Sequence, residues 1–309
     1  MKILITGGCG FIGSNLIRIL NNNGFKEICV VDDLSKGELS YIEGSIISEF
    51  YQRDIRDYNE LSVCFQGVDI VIHLAAYGSV VESIDEPQQN FDINTAGTLN
   101  ILRQSIANNV TKVIFASTGG ALIGNADPPV SESSVPRPIS PYGASKLACE
   151  GYCCAFSHSY NVDITSLRFA NVVGPTSYHK KGAVTAFLKA VINKNPIEIY
   201  GDGTATRDFL HVDDLCNGIL LALKSKKHGY SVYHLASGQQ TSVIELASEV
   251  IKVTGGKHQE IIYHKKRVGE VEKNFATYDL AKTELGFKPK YSLQDAILDT
   301  YGSFLQWKK

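Results

Sequence analysis

Tyr142 and Lys146 stand four residues apart in the run YGASKLACEGYCCAFSHSY, which has a helical pattern and follows Ser140 and Pro141. Spacing of i, i+4 brings the two side chains to one helical face, one above the other. A phenol ordinarily loses its proton near about pH 10. A fixed ammonium one turn away favours the phenolate and lowers that value. Such a pair can accept or donate a proton near neutral pH. The same spacing also arises by chance on many helices, so the pair needs company before it reads as chemistry.

The N-terminus supplies that company. Residues 2–6 are a short apolar, β-branched run, followed at once by Gly7, Gly8, Gly10 and Gly13 and then by a helical pattern that closes at Gly24. This is strand, glycine turn, helix. Gly7 permits the tight turn, Gly10 lets backbone approach a pyrophosphate, and Gly13 allows close helix–strand packing. The helix N-terminus then offers free N–H groups to the anion. A second apolar run over 27–31 ends in Asp32 and Asp33. Asp32 lies nineteen residues past Gly13, where a carboxylate can hold the adenosine ribose hydroxyls and repel a 2′-phosphate. The expected cofactor is therefore NAD in preference to NADP. A glycine-rich turn alone would say little; strand, turn, helix and acid in this order say nucleotide. The glycine spacing is GxxGxxG and not GxGxxG.

The elements that must position these groups alternate through the first half. Strand-like runs fall at 2–6, 27–31, 69–74, 112–117 and 163–168, with helical patterns between them, for example 91–108 and 142–160. Alternation of this kind implies βαβ units and a parallel sheet covered on both faces. Right-handed crossovers then give an α/β, doubly wound parallel sheet with its ligand crevice at the carboxyl ends of the strands. Gly7 to Gly13, Asp32, Ala75 and Ala76, Ser117 and Thr118, and Ala170 and Asn171 all fall at such ends. Beyond about residue 169 the pattern is less regular, with turn signals at Gly174-Pro175, Asn195-Pro196, Gly201-Asp202-Gly203 and Gly255-Gly256. The stretch 127–141 holds five prolines and reads as a loop leading into the tyrosine helix.

Composition narrows the classes. The 309 residues suit one two-lobed unit or two domains, and 44% hydrophobic content is ordinary for a globular enzyme. A net charge of −2 leaves no basic footprint for nucleic acid. No apolar run approaches the roughly 18–20 residues of a membrane span. The first strand starts at the first residues, so no signal peptide is expected. The seven cysteines are scattered; Cys149, Cys153 and Cys154 cluster without paired metal spacing and read as small core residues in a reducing cytoplasm. His179, His211 and His264 show no ligand spacing, and no metal site is expected.

Taken together, the pieces resemble the extended short-chain dehydrogenase/reductases, specifically the nucleotide-sugar epimerases and dehydratases. The resemblance runs over nearly the whole chain: TGGCGFIGSNL, VVDDLS, RDIRD at 53–57, VIHLAA at 71–76, NTAGTLNIL at 94–102, FASTGGALIG at 115–124, SPYGASKLACE, LRFANVVGP at 167–175, YGDGTATRDFLHVDDL at 200–215 and RVGEV at 267–271. It implies a Rossmann-like NAD domain of residues 1–168 plus 209–237, interleaved with a smaller substrate domain of 169–208 plus 238–309. It also implies a homodimer through helices matching 91–108 and 142–160, the second offering Leu147, Ala148, Cys154 and Ala155.

The same resemblance assigns roles. Tyr142 removes the proton from a sugar hydroxyl while hydride leaves the same carbon for the nicotinamide. Lys146 holds the nicotinamide ribose and depresses the tyrosine pKa. Thr118, where many relatives carry serine, hydrogen-bonds the same sugar oxygen. Cofactor contacts fall on Gly7, Gly10, Phe11, Ile12 and Gly13 of the first turn, and on Asp32 and Asp33. Further contacts fall on Asp54 and Ile55, on Leu74, Ala75 and Ala76, and on Asn94, Ser117 and Ala170. Ser117 is expected to meet cofactor or turn backbone. For a UDP-sugar, Arg207 and Arg267 take the diphosphate, since guanidinium groups match phosphate geometry. Glu270 takes the nucleotide ribose where relatives carry aspartate, and Asn171 takes phosphate or sugar. Val184, Phe187 and Tyr200 wall the base. His211 reads as a structural hydrogen-bonding residue.

Three functions compete. C4 epimerisation runs through a 4-keto sugar that swings and takes hydride back on its other face. Dehydration needs an Asp-Glu pair after the serine or threonine, but here Thr118 is followed by Gly119 and Gly120. A non-catalytic nucleotide-sugar sensor would not need an intact Thr118, Tyr142 and Lys146. UDP-glucuronate epimerisation stands beside the first reading. Leu122-Ile123-Gly124 departs from the relatives' tyrosine at the middle position. In the epimerases that the chain resembles, one position gates room for a C2 substituent; counted from Arg267 and Glu270, it falls at Asn274. Its small amide predicts that UDP-N-acetylglucosamine and UDP-N-acetylgalactosamine are interconverted, with UDP-glucose and UDP-galactose accepted too or as poorer substrates.

Overall fold

Apolar, largely β-branched runs become the central strands. The computed structural model describes residues 1–256, 259–267 and 271–307, except for the side chain of Trp307. The strands in chain order are β1 (Ile3–Thr6), β2 (Ile28–Asp32), β3 (Glu49–Gln52), β4 (Ile70–His73), β5 (Lys112–Thr118), β6 (Asp163–Phe169), β7 (Asn171–Val173), β8 (Ile197–Tyr200), β9 (Thr206–Arg207), β10 (Phe209–His211), β11 (Tyr230–Leu235), β12 (Thr241–Ser242) and β13 (Ile261–His264). Seven of them form one sheet in the order β11-β6-β5-β4-β1-β2-β3, and every pairing in it is parallel. The order reverses between β1 and β4, where a doubly wound sheet opens its ligand crevice. The fold is thus Rossmann-like.

Alternation along each strand builds two cores. Ile3 and Ile5 of β1, with Val30 and Ile72, point into a cluster that takes in Leu16 and Leu20 of the Phe11–Asn22 helix and Ile219 of the Val212–Lys224 helix. Leu4, Cys29, Val31 and Val71 point the other way, toward Ile101 of the Gly97–Ala107 helix and Cys149 and Cys153 of the Pro141–Tyr160 helix. Residues of period two therefore divide between the faces. Each buried leucine or isoleucine contributes about 1.5–3 kcal/mol relative to exposure.

A third core lies outside the sheet. Leu188 of the Ala183–Asn193 helix, Ile197 and Ile199 of β8, Leu246 of the Val243–Thr254 helix and Phe304 of the C-terminal helix pack together. Three separate two-stranded pairings, β7–β10, β8–β13 and β9–β12, accompany this part.

Two elements depart from the sequence reading. β3 was not expected; its EFYQ residues are half-exposed at the sheet edge and carry little apolar signal. The expected helix over 91–108 is regular only from Gly97; residues Asp92–Ala96 form a wider π-helical turn. Asn94 sits in that turn with its side chain buried, bonded away from the helix.

Candidate active site

The glycine turn is fixed by close approach. Gly7 has φ +71°, and a Cβ there would lie 2.8 Å from the Ala75 nitrogen. A Cβ on Gly13 would lie 2.3 Å from the Gly7 carbonyl oxygen, so the helix can sit this close only without one. A Cβ on Gly10 would meet only that same oxygen, at 3.3 Å, which leaves the turn open above Gly10. Phe11 is buried and Ile12 half-buried at the start of the helix. The Asp32 carboxylate accepts from the backbone nitrogens of Cys9 and Leu34, both at 2.9 Å. Burial pushes its pKa up and these two bonds pull it down. Asp33 is exposed and accepts from the Ser35 nitrogen and hydroxyl at 2.9 and 2.6 Å.

Next to the turn, a buried polar chain holds the loop after β4. The Ala75 nitrogen donates to Thr6 Oγ1 at 3.2 Å, Thr6 Oγ1 bonds His73 Nδ1 at 2.6 Å, and His73 Nε2 bonds Thr98 Oγ1 at 3.0 Å. Leu74 and Ala76 flank Ala75 on the same loop. Burial drives the His73 pKa down to about 3, so the ring is neutral. Asn94 accepts from the Tyr77 nitrogen at 2.7 Å and donates to Ser145 Oγ at 3.0 Å, tying this loop to the tyrosine helix. Asp54 pairs with Arg56, and Ile55 packs over Gly97, where a Cβ would lie 2.6 Å from Ile55 Cδ1.

Sequence dictates how the tyrosine helix starts. Ser140 caps it, its hydroxyl accepting from the Gly143 nitrogen at 3.2 Å, and Pro141 takes the first turn. Gly143 packs so tightly on the 120–123 turn that a Cβ would fall 2.0 Å from the Ala121 carbonyl oxygen. This seats Tyr142, partly buried, against the end of β5 beside Thr118. Lys146 is 3% exposed, donates to the Ala116 carbonyl at 2.8 Å and lies 4.8 Å from the Phe115 ring centre.

The protonation balance differs from the expectation. Burial pushes the Tyr142 phenol up to about 12, and the Thr118 hydrogen bond only partly opposes it. Burial likewise lowers the Lys146 pKa. Desolvation disfavours both charged forms, and in the chain alone it outweighs the mutual help that i, i+4 spacing promises. Ser117 departs too. Its hydroxyl donates to the Glu150 carboxylate at 2.6 Å and not to turn backbone.

On the opposite side, Tyr200 lies under the Arg267 guanidinium at 3.7 Å and stacks with His264 at 5.1 Å. Arg207 donates to the Thr206 carbonyl at 2.8 Å, and Asn171 donates to the Asp208 carbonyl from backbone and side chain at 2.9 and 3.1 Å. Val184 and Phe187, expected at the base, are 5% and 3% exposed within the third core, so Tyr200 is the one of the three with a partly open face. Asn274 places its amide against Gly120; a Cβ on that glycine would come 1.7 Å from Nδ2. Glu270 lies outside the described residues. Ala170 separates β6 from β7 at the crevice end. His211 accepts from the Asp213 nitrogen at 3.0 Å and stacks on Tyr291 at 4.1 Å, a helix cap by geometry.

Sequence reasoning passed over Glu150, Arg168 and Asp208. Asp208 is buried and gathers the Ser237 nitrogen and hydroxyl and the Gly238 nitrogen at 2.8–3.1 Å. Only Glu150 carried a signal, lying eight residues past Tyr142 and four past Lys146 on the same helical face.

A family model described as the NAD dependent epimerase/dehydratase family matches residues 3–236. The chain belongs to this family. A putative UDP-glucose 4-epimerase of Methanocaldococcus jannaschii is 38% identical over 301 residues, covering 96% of this chain and 95% of that one. The crystal structure of UDP-glucose 4-epimerase from Thermotoga maritima with UDP-glucose superposes with a TM-score of 0.94 at 36% identity, covering all of both chains. UDP-N-acetylglucosamine 4-epimerase from Methanobrevibacter ruminantium M1, in complex with UDP-N-acetylmuramic acid, superposes with a TM-score of 0.92 at 28% identity, covering 99% of this chain and 98% of that one. NAD is the cofactor of this family member. The chain's residues fit it: the turn is open above Gly10, and Asp32 is held rigidly at the end of β2. Among the described residues no group of three or more His, Cys, Asp or Glu is placed to hold a metal ion, and no helix is long and apolar enough to cross a membrane.

Proposed function

We propose that the chain is an NAD-dependent UDP-sugar 4-epimerase that interconverts UDP-N-acetylglucosamine and UDP-N-acetylgalactosamine, with UDP-glucose and UDP-galactose accepted as well or as poorer substrates. The observation that carries the sugar assignment is the Asn274 amide folded against Gly120, two residues past Thr118. A short side chain tucked there leaves room beside the sugar for an acetamido group, and its amide is a hydrogen-bonding partner for one.

The reaction class rests on Thr118, Tyr142 and Lys146 at one strand end. When bound, NAD would supply the hydride acceptor and donor for C4 of the sugar, held by the turn at Gly7–Gly13 and by Asp32. Tyr142 Oη takes the proton from the sugar 4-hydroxyl and later gives it back, with the Thr118 hydroxyl beside it favouring the phenolate. The Lys146 ammonium favours the phenolate and holds the nicotinamide ribose. Gly119 and Gly120 present no carboxylate to a leaving hydroxyl, which argues for epimerisation over dehydration. Arg207 and Arg267 hold the diphosphate, Tyr200 walls the base, and residues 169–208 with 238–309 form the substrate side. Asp32 selects NAD over NADP.

The enzyme pairs as a homodimer through the Pro141–Tyr160 helix and the helical stretch preceding β5. Phe91, Tyr152 and Tyr160 are 52%, 43% and 55% exposed there. Of the residues first assigned to that face, Leu147 packs partly inside the chain against Leu122 and Ile123, and Cys154 bonds His158.

Incubation of the enzyme with UDP-N-acetylglucosamine and no added reductant tests this. The expected product is UDP-N-acetylgalactosamine, an isomer of unchanged mass. Loss of water would indicate a dehydratase, and binding without product a sensor. Epimerisation of UDP-glucose alone would contradict the role given to Asn274.

A further inference from the structure

The Pro141–Tyr160 helix touches β5 through three side chains spaced four residues apart. Tyr142 faces Thr118, whose hydroxyl favours the phenolate, Lys146 donates to the Ala116 carbonyl at 2.8 Å, and Glu150 accepts from Ser117 Oγ at 2.6 Å. The third contact is a carboxylate 6% exposed. Arg168 of β6 neutralises it with two bonds, Nε at 3.0 Å to Oε1 and Nη2 at 2.8 Å to Oε2, and is itself 5% exposed. Ser117 and Arg168 are direct cross-strand partners, so both face the helix from one spot on the sheet. Arg168 also reaches the Glu132 carbonyl at 3.5 Å, and Glu132 accepts from the His234 nitrogen at 2.7 Å.

A buried ion pair contributes little net stability over an apolar pair of the same shape. What it does supply is geometric uniqueness, because a shift of the helix by one position would leave two buried charges without partners. We propose that Glu150 and Arg168 are positioning residues, which hold Tyr142 and Lys146 in register with Thr118 by gripping Ser117 from the third turn of the same helical face. This rests on the proton-transfer roles given above to Tyr142 and Lys146.

A second consequence follows from charge. Lys146 is surrounded by Glu150, Cys149 and Cys153 of its own helix, by Phe115 and the Ala116 carbonyl of β5, and by the neutral His73 of β4. Glu150 is the carboxylate among these groups. Burial lowers the Lys146 pKa, and the Glu150 charge is one of the nearby groups that oppose it.

Two variants separate positioning from bulk stability. Ser117→Ala removes the strand contact and leaves the ion pair whole. Glu150→Gln with Arg168→Gln removes the pair without stranding a charge. Turnover of a UDP-sugar is measured against pH on folded, NAD-loaded protein, with Tyr142→Phe as the reference. Misplacement of a reacting group by about 1 Å costs on the order of 10²-fold, so the double variant is expected to lose about that much in kcat with KM nearly unchanged. Ser117→Ala is expected to lose roughly 10-fold. The double variant removes one negative and one positive charge together, so its alkaline limb is expected to stay where the wild type has it and the loss to be one of kcat at every pH. Folded variants with kcat within about twofold of wild type, while Tyr142→Phe is inactive, would overturn the positioning role alone. Turnover retained by Tyr142→Phe would instead overturn the base assignment beneath it.

Discussion

The two walls of the crevice are built differently. On the sheet side, Lys146, Ser117, Glu150 and Arg168 are each at most 6% exposed, and each is bonded to a neighbour on another element. On the other side, Arg267 is exposed and Tyr200 and Asn274 are partly so; Arg267 lies over the Tyr200 ring, the Tyr200 hydroxyl reaches Glu198 at 3.5 Å, and the Asn274 amide lies against Gly120. A buried polar wall has one arrangement, because displacement leaves donors or charges unpaired at a cost of about 1–3 kcal/mol each or more. An exposed wall of stacked rings repacks at little cost. Chemistry is accordingly assigned to the first wall and sugar choice to the second, and mutations on the two should fail in different ways.

The largest effect is expected from Tyr142→Phe. Turnover should fall on the order of 10²–10⁴-fold, the range for loss of general acid–base catalysis, while the UDP-sugar KM barely moves. Steady-state kinetics with retained half activity would remove Tyr142 from the mechanism. Lys146→Ala should cut turnover and also weaken NAD binding, read by titration, because one ammonium is assigned both tasks. On the other wall, Asn274→Tyr should lower kcat/KM for the N-acetylated sugars by roughly 10-fold or more, the scale of about 1–3 kcal/mol for a steric change in a pocket. UDP-glucose should be spared. Equal losses on all sugars would erase the division between the walls.

The smallest effect concerns stability. Burial drives both His73 and His234 down to about 3. The unfolded chain binds a proton at each near about pH 6.5 while the folded chain does not. Stability is therefore full above that pH and falls as pH drops from about 6.5 toward 3. Each histidine should remove about 2 kcal/mol at pH 5. Thermal melts between pH 7 and 5 should show the decline, and His73→Gln should roughly halve it. A melting temperature flat over that interval would mean the rings are protonated in the fold.

What the sequence disclosed follows the same division. Gly7 and Gly13 were legible because a left-handed φ and a 2.3 Å approach leave glycine as the residue that fits. The parallel sheet was legible because strands covered on both faces read as unbroken apolar runs. β3 was not, since its half-exposed EFYQ gives no such run. The bond from Ser117 to Glu150 was hidden because a strand end and a helix turn thirty-three residues apart meet only through packing. Val184 and Phe187 are buried in the third core, a placement that depends on how their helix packs and that the sequence does not show. The phenol's upward shift was out of reach for another reason. Spacing reveals which charges are near, whereas desolvation depends on everything that excludes water.

The most direct test follows the hydrogen at C4. A UDP-N-acetylglucosamine carrying deuterium on that carbon is incubated with the enzyme in ordinary water, and the product is read by mass and NMR. Abstraction of the hydroxyl proton by Tyr142, with hydride carried to NAD and back, predicts UDP-N-acetylgalactosamine that keeps the deuterium at C4. Washout of the label into solvent would contradict the account, because it would mean that C4 inverts by loss of a proton and not by transfer of a hydride.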